Sequence, residues 1–186
     1  LSGWDFRGQD LTGAYLGGSI LASASLAAAN LGNAMLDYSD LTNANLARAN
    51  LTNGSLAYST LANADLTRAM LTGASLVGTT YNGFAKEQLY STTSYQQKNL
   101  QHIALGQNDL SGWDFSGQDL TGAYLGGSIL ASASLAAANL GNAMLDYSDL
   151  TNANLASANL TNGSLAYSPL ANADLTRALL TGASLV

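Results

Sequence analysis

The sequence predicts an all-β solenoid, on three observations: a bulky apolar residue returns at every fifth position, a small residue stands two places before it, and the residue between them is mostly polar. The bulky series opens Leu1, Phe6, Leu11, Leu16, Leu21 and continues through Leu76 without a polar interruption. A period of five fits neither regular element. On an α-helix it advances about 140° per step and smears leucine around the cylinder, while on a flat strand an odd period alternates faces. The backbone must therefore turn once per repeat.

The flanking positions show how it turns. Ala14, Ser19, Ala24, Ala29 and Ala34 are small, whereas Asp10, Asn30, Asp40, Asn45, Asn50 and Asp65 occupy the intervening polar position. Small-in, polar-out, large-in is a short β alternation. The next two residues favour Thr, Gly, Asn, Ser and Ala, which suit turns and exposed corners. The expected core is a leucine column, Leu11, Leu31, Leu51 and Leu71, matched by Leu120, Leu140, Leu160 and Leu180. Each buried leucine contributes about 1.5–3 kcal/mol, and repeat stability sums over neighbouring interfaces so that no one of them dominates.

A longer repeat overlies the short one. Residues 1–77 recur as 110–186 with four differences: Arg7 becomes Ser116, Arg48 becomes Ser157, Thr60 becomes Pro169 and Met70 becomes Leu179. The predicted organisation is a first solenoid copy at 1–77, a connecting segment at 78–99 and a second copy at 100–186. Between Leu76 and Leu100 the count of five is lost, so the chain must leave the solenoid and re-enter it. The run Ala85-Lys86-Glu87-Gln88-Leu89-Tyr90 has helix-favouring composition, which predicts a short helix near 85–90 within a small cap over 84–97. Phe84, Leu89 and Tyr95 are expected to dock its apolar faces, and the two copies to stack near-coaxially.

The triplets Ala44-Asn45-Leu46, Ala49-Asn50-Leu51 and Ala64-Asp65-Leu66 resemble the A(D/N)LXX signature of the pentapeptide-repeat family. The resemblance implies a right-handed quadrilateral β-helix with four pentapeptides to a twenty-residue coil. Stacked coils would lie roughly 4.8 Å apart. The segment Phe84-Ala85-Lys86-Glu87-Gln88-Leu89-Tyr90-Ser91-Thr92, followed by Leu110-Ser111-Gly112-Trp113-Asp114-Phe115, is similar to segments of planctomycete-type bacterial members, many of them exported. An exported or cell-surface location is the expectation that follows.

Composition narrows the function. A net charge of −6, from twelve acids against six bases, argues against direct nucleic-acid binding, which concentrates Lys and Arg on one face. With no cysteine there are no disulfides, thiolate nucleophiles or cysteine zinc sites. No run is long enough for a membrane-spanning helix, and Leu1-Ser2-Gly3-Trp4 has no signal-peptide character. The pattern is cut at Leu1 and at Leu185-Val186, as expected of a piece of a longer chain. His102, the sole histidine, has no second general base or thiol to act with, and Gly17-Gly18-Ser19 lacks the lysine of a phosphate loop. The expectation is no enzyme, no cofactor and no metal.

Folding the sequence at twenty residues per coil places Tyr38 beneath Tyr58, with Tyr15 on the same side, and Tyr147 beneath Tyr167 in the second copy. These tyrosines are the candidate binding face; the alternative is that they only shield coil edges. Arg48 and Arg68 also align, as a paired anion site or as splayed solvated side chains, and Ser157 in the second copy favours the latter. Asn30 with Asn50, Asn33 with Asn53 and Asn43 with Asn63 suggest amide ladders, with too few carboxylates nearby for calcium. Trp4 and Trp113 stand at the small interior position as capping bulk.

Three functions remain. The first is a non-enzymatic structural or protein-interaction module, meeting a protein or surface partner, with end-to-end self-association through unpaired coil edges. The second is binding to a type II topoisomerase by DNA mimicry, as in some members of the family. That requires a row of acids, and Asp5, Asp10, Asp37, Asp40 and Asp65 scatter over different faces. The third is ice or surface binding through Thr12, Thr52 and Thr72, a row that Gly32 interrupts.

Overall fold

In the computed structural model, which describes residues 1–186, parallel bridges link positions twenty apart, such as Asp10 to Asn30, Asn30 to Asn50 and Asn50 to Met70. The fold is a β-solenoid whose coil is twenty residues. Each side of a coil offers one bridging residue between turns, so pairing takes the form of isolated bridges, not extended strands. The chain divides into two units, Leu1–Gln97 and Lys98–Val186.

One pentapeptide accounts for all its backbone donors. Leu51 N–H donates to Met70 O at 2.9 Å, Asn53 N–H to Thr72 O at 3.0 Å and Ser55 N–H to Ala34 O at 2.8 Å, so three bonds reach adjacent coils. Gly54 N–H closes its own turn on Leu51 O at 2.8 Å. The fifth donor, Thr52 N–H, is taken by the Asn50 side chain at 3.1 Å. A buried or half-buried amide needs a partner, and here Asp or Asn two residues earlier supplies it. Asp10 does the same for Thr12, Asp40 for Thr42, Asp119 for Thr121 and Asp149 for Thr151.

These bonds set an acid limit. Hydrogen bonds from the residue two places on, side chain first and backbone second, hold the carboxyls of Asp10, Asp40, Asp149 and Asp174 below their ordinary value. The Arg7 side chain lowers Asp5 to about 2. A carboxyl lowered by folding stabilises fully above its unfolded value of about 3.9, and the contribution is lost as pH falls through the folded value. The thermal midpoint is therefore expected to be flat from neutral pH to about 4 and to fall below it. Asp10→Asn should make the acid limb slightly shallower, by the share of one carboxyl among several, because asparagine fills the same role at Asn30.

The corners carry a backbone demand that the composition conceals. The second turn residue has positive φ throughout: 56° at Asn33, 57° at Asn43, 58° at Tyr38 and 61° at both Arg48 and Arg68. With the bond from the following residue back to leucine, this is the pattern of a type II turn, for which Gly or Asn is the least strained occupant.

Inside, Leu31, Leu51, Leu71, Leu120, Leu140 and Leu160 are fully buried. Leu11 and Leu180 are only half-buried, because they lie in the first and last coils described and a leucine there is covered from one side. Interior serines are satisfied by carbonyls: Ser59 Oγ donates to Leu36 O at 2.6 Å and accepts from Ser39 N–H at 3.2 Å.

In the first unit the last coil ends under a helical cap. A single 3₁₀ turn at Thr80–Asn82 leads to two short helices, α1 at Lys86–Tyr90 and α2 at Thr93–Gln96, split where the Thr92 hydroxyl caps Tyr95 N–H. Phe84 and Leu89 are buried, while Tyr95 is half-buried and stacks on Tyr90 at 4.4 Å. The cap takes over the ladder bonds that a further coil would make. Leu61 N–H donates to Asn82 O and Arg68 N–H to Ser91 O, both at 2.9 Å, and Leu71 N–H donates to Ser94 Oγ at 2.8 Å. Gln88 Nε2 donates to Leu61 O and Ala64 O at 2.8 Å each, while its Oε1 accepts Ala85 N–H at 2.7 Å.

The second unit repeats the solenoid plan from the Asn99–Asp119 bridge onward. Phe115 is fully buried there and Trp113 nearly so, whereas Trp4 is 58% exposed and packs on Phe6. Pro169 has no N–H to give, so the bond from Thr60 N–H to Ser39 O in the first unit has no counterpart.

Candidate interaction site

The aromatic columns are the surface feature that both units share. Tyr38 and Tyr58 stack with ring centroids 5.2 Å apart and planes 12° from parallel, and Tyr147 and Tyr167 with 5.0 Å and 13°. All four stand at the positive-φ corner, which aims successive side chains out of the same edge. The ends of the first stack differ. A Cβ on Gly78 would lie 2.6 Å from Tyr58, so that backbone covers one face of the ring, whereas a Cβ on Gly18 would meet nothing. Tyr38 accordingly stays 69% exposed and Tyr58 36%. Tyr15 does not join the stack: it bridges Met35, and its ring lies against Gly17.

Amide ladders form on another column. Asn50 Nδ2 donates to Asn30 Oδ1 at 3.0 Å, and Asn30 Nδ2 to Thr12 Oγ1 at 2.7 Å. Asn159, Asn139 and Thr121 repeat this in the second unit. Asn33, Asn43, Asn53 and Asn63 are corner residues that meet the positive-φ requirement, and in the second unit Asn172 also donates to Asn152 at 3.2 Å. Thr12 and Thr52 hydroxyls donate to Asp10 and Asn50, which ties the threonines into the ladder.

Arg48 and Arg68 lie one coil apart at matching corners, and Arg7 reaches the same face from the adjoining column. That third arginine is missed by a search at twenty-residue spacing, because residue 7 belongs to the first turn position and residue 48 to the second. His102 is an exposed corner residue lying over Gly122, where a Cβ would come within 2.5 Å of Nδ1. No cluster of three His, Cys, Asp or Glu side chains is placed to hold a metal ion. No helix is long and apolar enough to cross a membrane.

The coil geometry agrees with the comparison of sequences. The family profile described as pentapeptide repeats matches residues 1–31, 24–57, 55–80 and 133–166. The chain belongs to the pentapeptide-repeat family. Among solved structures it is similar to HetL, a pentapeptide repeat protein involved in heterocyst differentiation regulation from the cyanobacterium Nostoc sp. strain PCC 7120. The two share 30% identity over 97% of this chain and 73% of HetL, with a TM-score of 0.40. A trypsin-treated form of QnrB1, a plasmid-mediated fluoroquinolone resistance protein, matches at 18% identity over 100% of this chain and 86% of its own, with a TM-score of 0.44. A pentapeptide repeat protein of the Arabidopsis thaliana thylakoid lumen matches at 20% identity over 82% and 68%, with a TM-score of 0.25. No curated protein sequence matches this pentapeptide-repeat chain.

Proposed function

We propose that this pentapeptide-repeat chain is a non-enzymatic interaction module that meets a protein partner through its stacked tyrosines. The observation that carries the reading is the duplicated pair, Tyr38 on Tyr58 and Tyr147 on Tyr167, with Tyr38 and Tyr147 both about two-thirds exposed. Tyrosine offers a large rigid apolar face with a polar tip, the chemistry favoured at interface centres. It also stands where Gly or Asn would strain the backbone less, so these rings oppose the local preference.

The reading extends to a right-handed quadrilateral β-helix carried by an exported surface protein, supported by the resemblance of residues 84–92 and 110–115 to planctomycete-type bacterial members of the family, many of them exported. A signal sequence in the full-length gene checks that part. Topoisomerase binding by DNA mimicry has weaker support, since Asp10, Asp40 and Asp65 each turn a carboxylate oxygen onto the amide two residues on.

A photo-reactive phenylalanine analogue placed at position 38 tests the module. It is expected to form a discrete protein adduct in an extract of the source cell, and Tyr147→Asn should weaken that capture when both units engage one partner. Tyr81, 68% exposed but outside the stack, is the control position. An adduct pattern identical from positions 38 and 81 would remove the tyrosine face as the binding surface.

A further inference from the structure

We infer that the first unit carries a second site, a groove for an acidic peptide segment between Arg7 and the Arg48–Arg68 pair. The groove holds about 600 Å³, within the range of small-ligand sites. Its floor is Ala27, Ala28 and Ala47, small side chains that let the surface sink between the arginines. The walls contain three of the four Lys and Arg side chains of this unit, the fourth being Lys86. Half of the chain's six Lys and Arg side chains thus line one groove, although the net charge is −6.

The three arginines are not equivalent. Arg7 is held by Asp5 through Nε at 2.9 Å and Nη2 at 2.7 Å, which neutralises it and fixes it as a wall. Arg48 and Arg68 take part in no ion pair, and their shared φ of 61° sends both from successive corners one coil apart. Asp65 is the single carboxylate of the lining, and it accepts Thr67 N–H. Two unpaired guanidinium groups against a single carboxylate in the lining leave a local excess of positive charge that favours an incoming anion.

The alanine floor decides which anion. A lone phosphate would satisfy the guanidinium groups and leave the alanines bare. An extended peptide presents alternate side chains to one face, so the methylenes of glutamate can cover the alanines while the carboxylates reach Arg48 and Arg68. A sulfated polysaccharide gains little from an apolar floor and would favour more cations along its length.

The second unit is the internal comparison. It keeps the floor as Ala136, Ala137 and Ala156, and the acid as Asp174, but Ser116 and Ser157 replace two of the arginines. Two of the four differences between the copies therefore fall among the eight residues lining this groove. Backbone geometry is retained, with φ 60° at Ser157 against 61° at Arg48.

The test is fluorescence anisotropy of a labelled hexapeptide alternating glutamate with alanine, titrated with the whole chain. Saturable binding at one peptide per chain is expected, with at least a ten-fold loss on Arg48→Ser and loss of binding to the glutamine version of the peptide. Arg48→Ser reproduces the residue of the second unit at the same backbone angle, so the variant folds. Ser116→Arg with Ser157→Arg should raise the stoichiometry to two. No saturation, or equal affinity after Arg48→Ser, would overturn the proposal. So would tighter, Arg48-dependent binding of inorganic phosphate or of a sulfated polysaccharide. A failed tyrosine crosslink leaves all of these outcomes unaffected, because the two sites share no residue.

Discussion

Leu51→Ala is expected to lower the unfolding free energy by about 2–5 kcal/mol, while Leu11→Ala lowers it by much less. Both substitutions remove the same atoms. Leu51 is fully enclosed, with Leu31 and Leu71 in the adjoining coils, and the backbone around it is pinned by bonds to both neighbours. The walls cannot collapse into the space, so the cavity adds to the lost transfer energy. Leu11 is half-exposed and leaves no closed void. Denaturant unfolding of both variants measures the difference. Equal losses would mean that the leucines do not form a shared column.

The second large effect is expected at the cap. Leu89 is completely buried in a helix of five residues, too short to hold itself by local propensity. Leu89→Ala should remove about 2–5 kcal/mol from the docking of the cap, more than so short a segment can spare. The amides that the cap satisfies, those of Leu61, Arg68 and Leu71, should then exchange with solvent faster than those of Leu31 or Leu46. A freed coil edge is also a pairing template, so mass measured by light scattering should rise with concentration. Unchanged exchange at Leu61 and Arg68 would show that the edge does not depend on α1.

The contrast between these two positions shows what could be read in advance. The solenoid was legible because the interior admits few alternatives: a leucine at every fifth place and an alanine or serine two before it leave one way to wind. The turn chemistry was not. Asn33 and Asn63 signal a positive-φ corner, but Ala28, Tyr38 and Arg48 occupy equivalent corners and hide the rule. Asp and Asn before leucine read simply as outward polar residues, whereas their oxygens complete the backbone bonding of the next turn. The helix expected near 85–90 is α1 at Lys86–Tyr90, and the composition did not signal α2, which Thr92 starts where the first helix has just ended. On the surface, twenty-residue spacing found the tyrosine stacks but overlooked Arg7, whose column adjoins that of Arg48 and Arg68.

Coil closure after twenty residues, with a turn every five, imposes two separate rules on insertion and deletion. Adding five residues between Tyr38 and Tyr58 keeps every leucine inward, yet it advances all later side chains by a quarter revolution and splits that pair. Adding twenty preserves both the interior and the alignment of the faces. Lengthening of this protein without scrambling its exterior must therefore proceed in whole revolutions, even though its hydrophobic filling would accept any multiple of five.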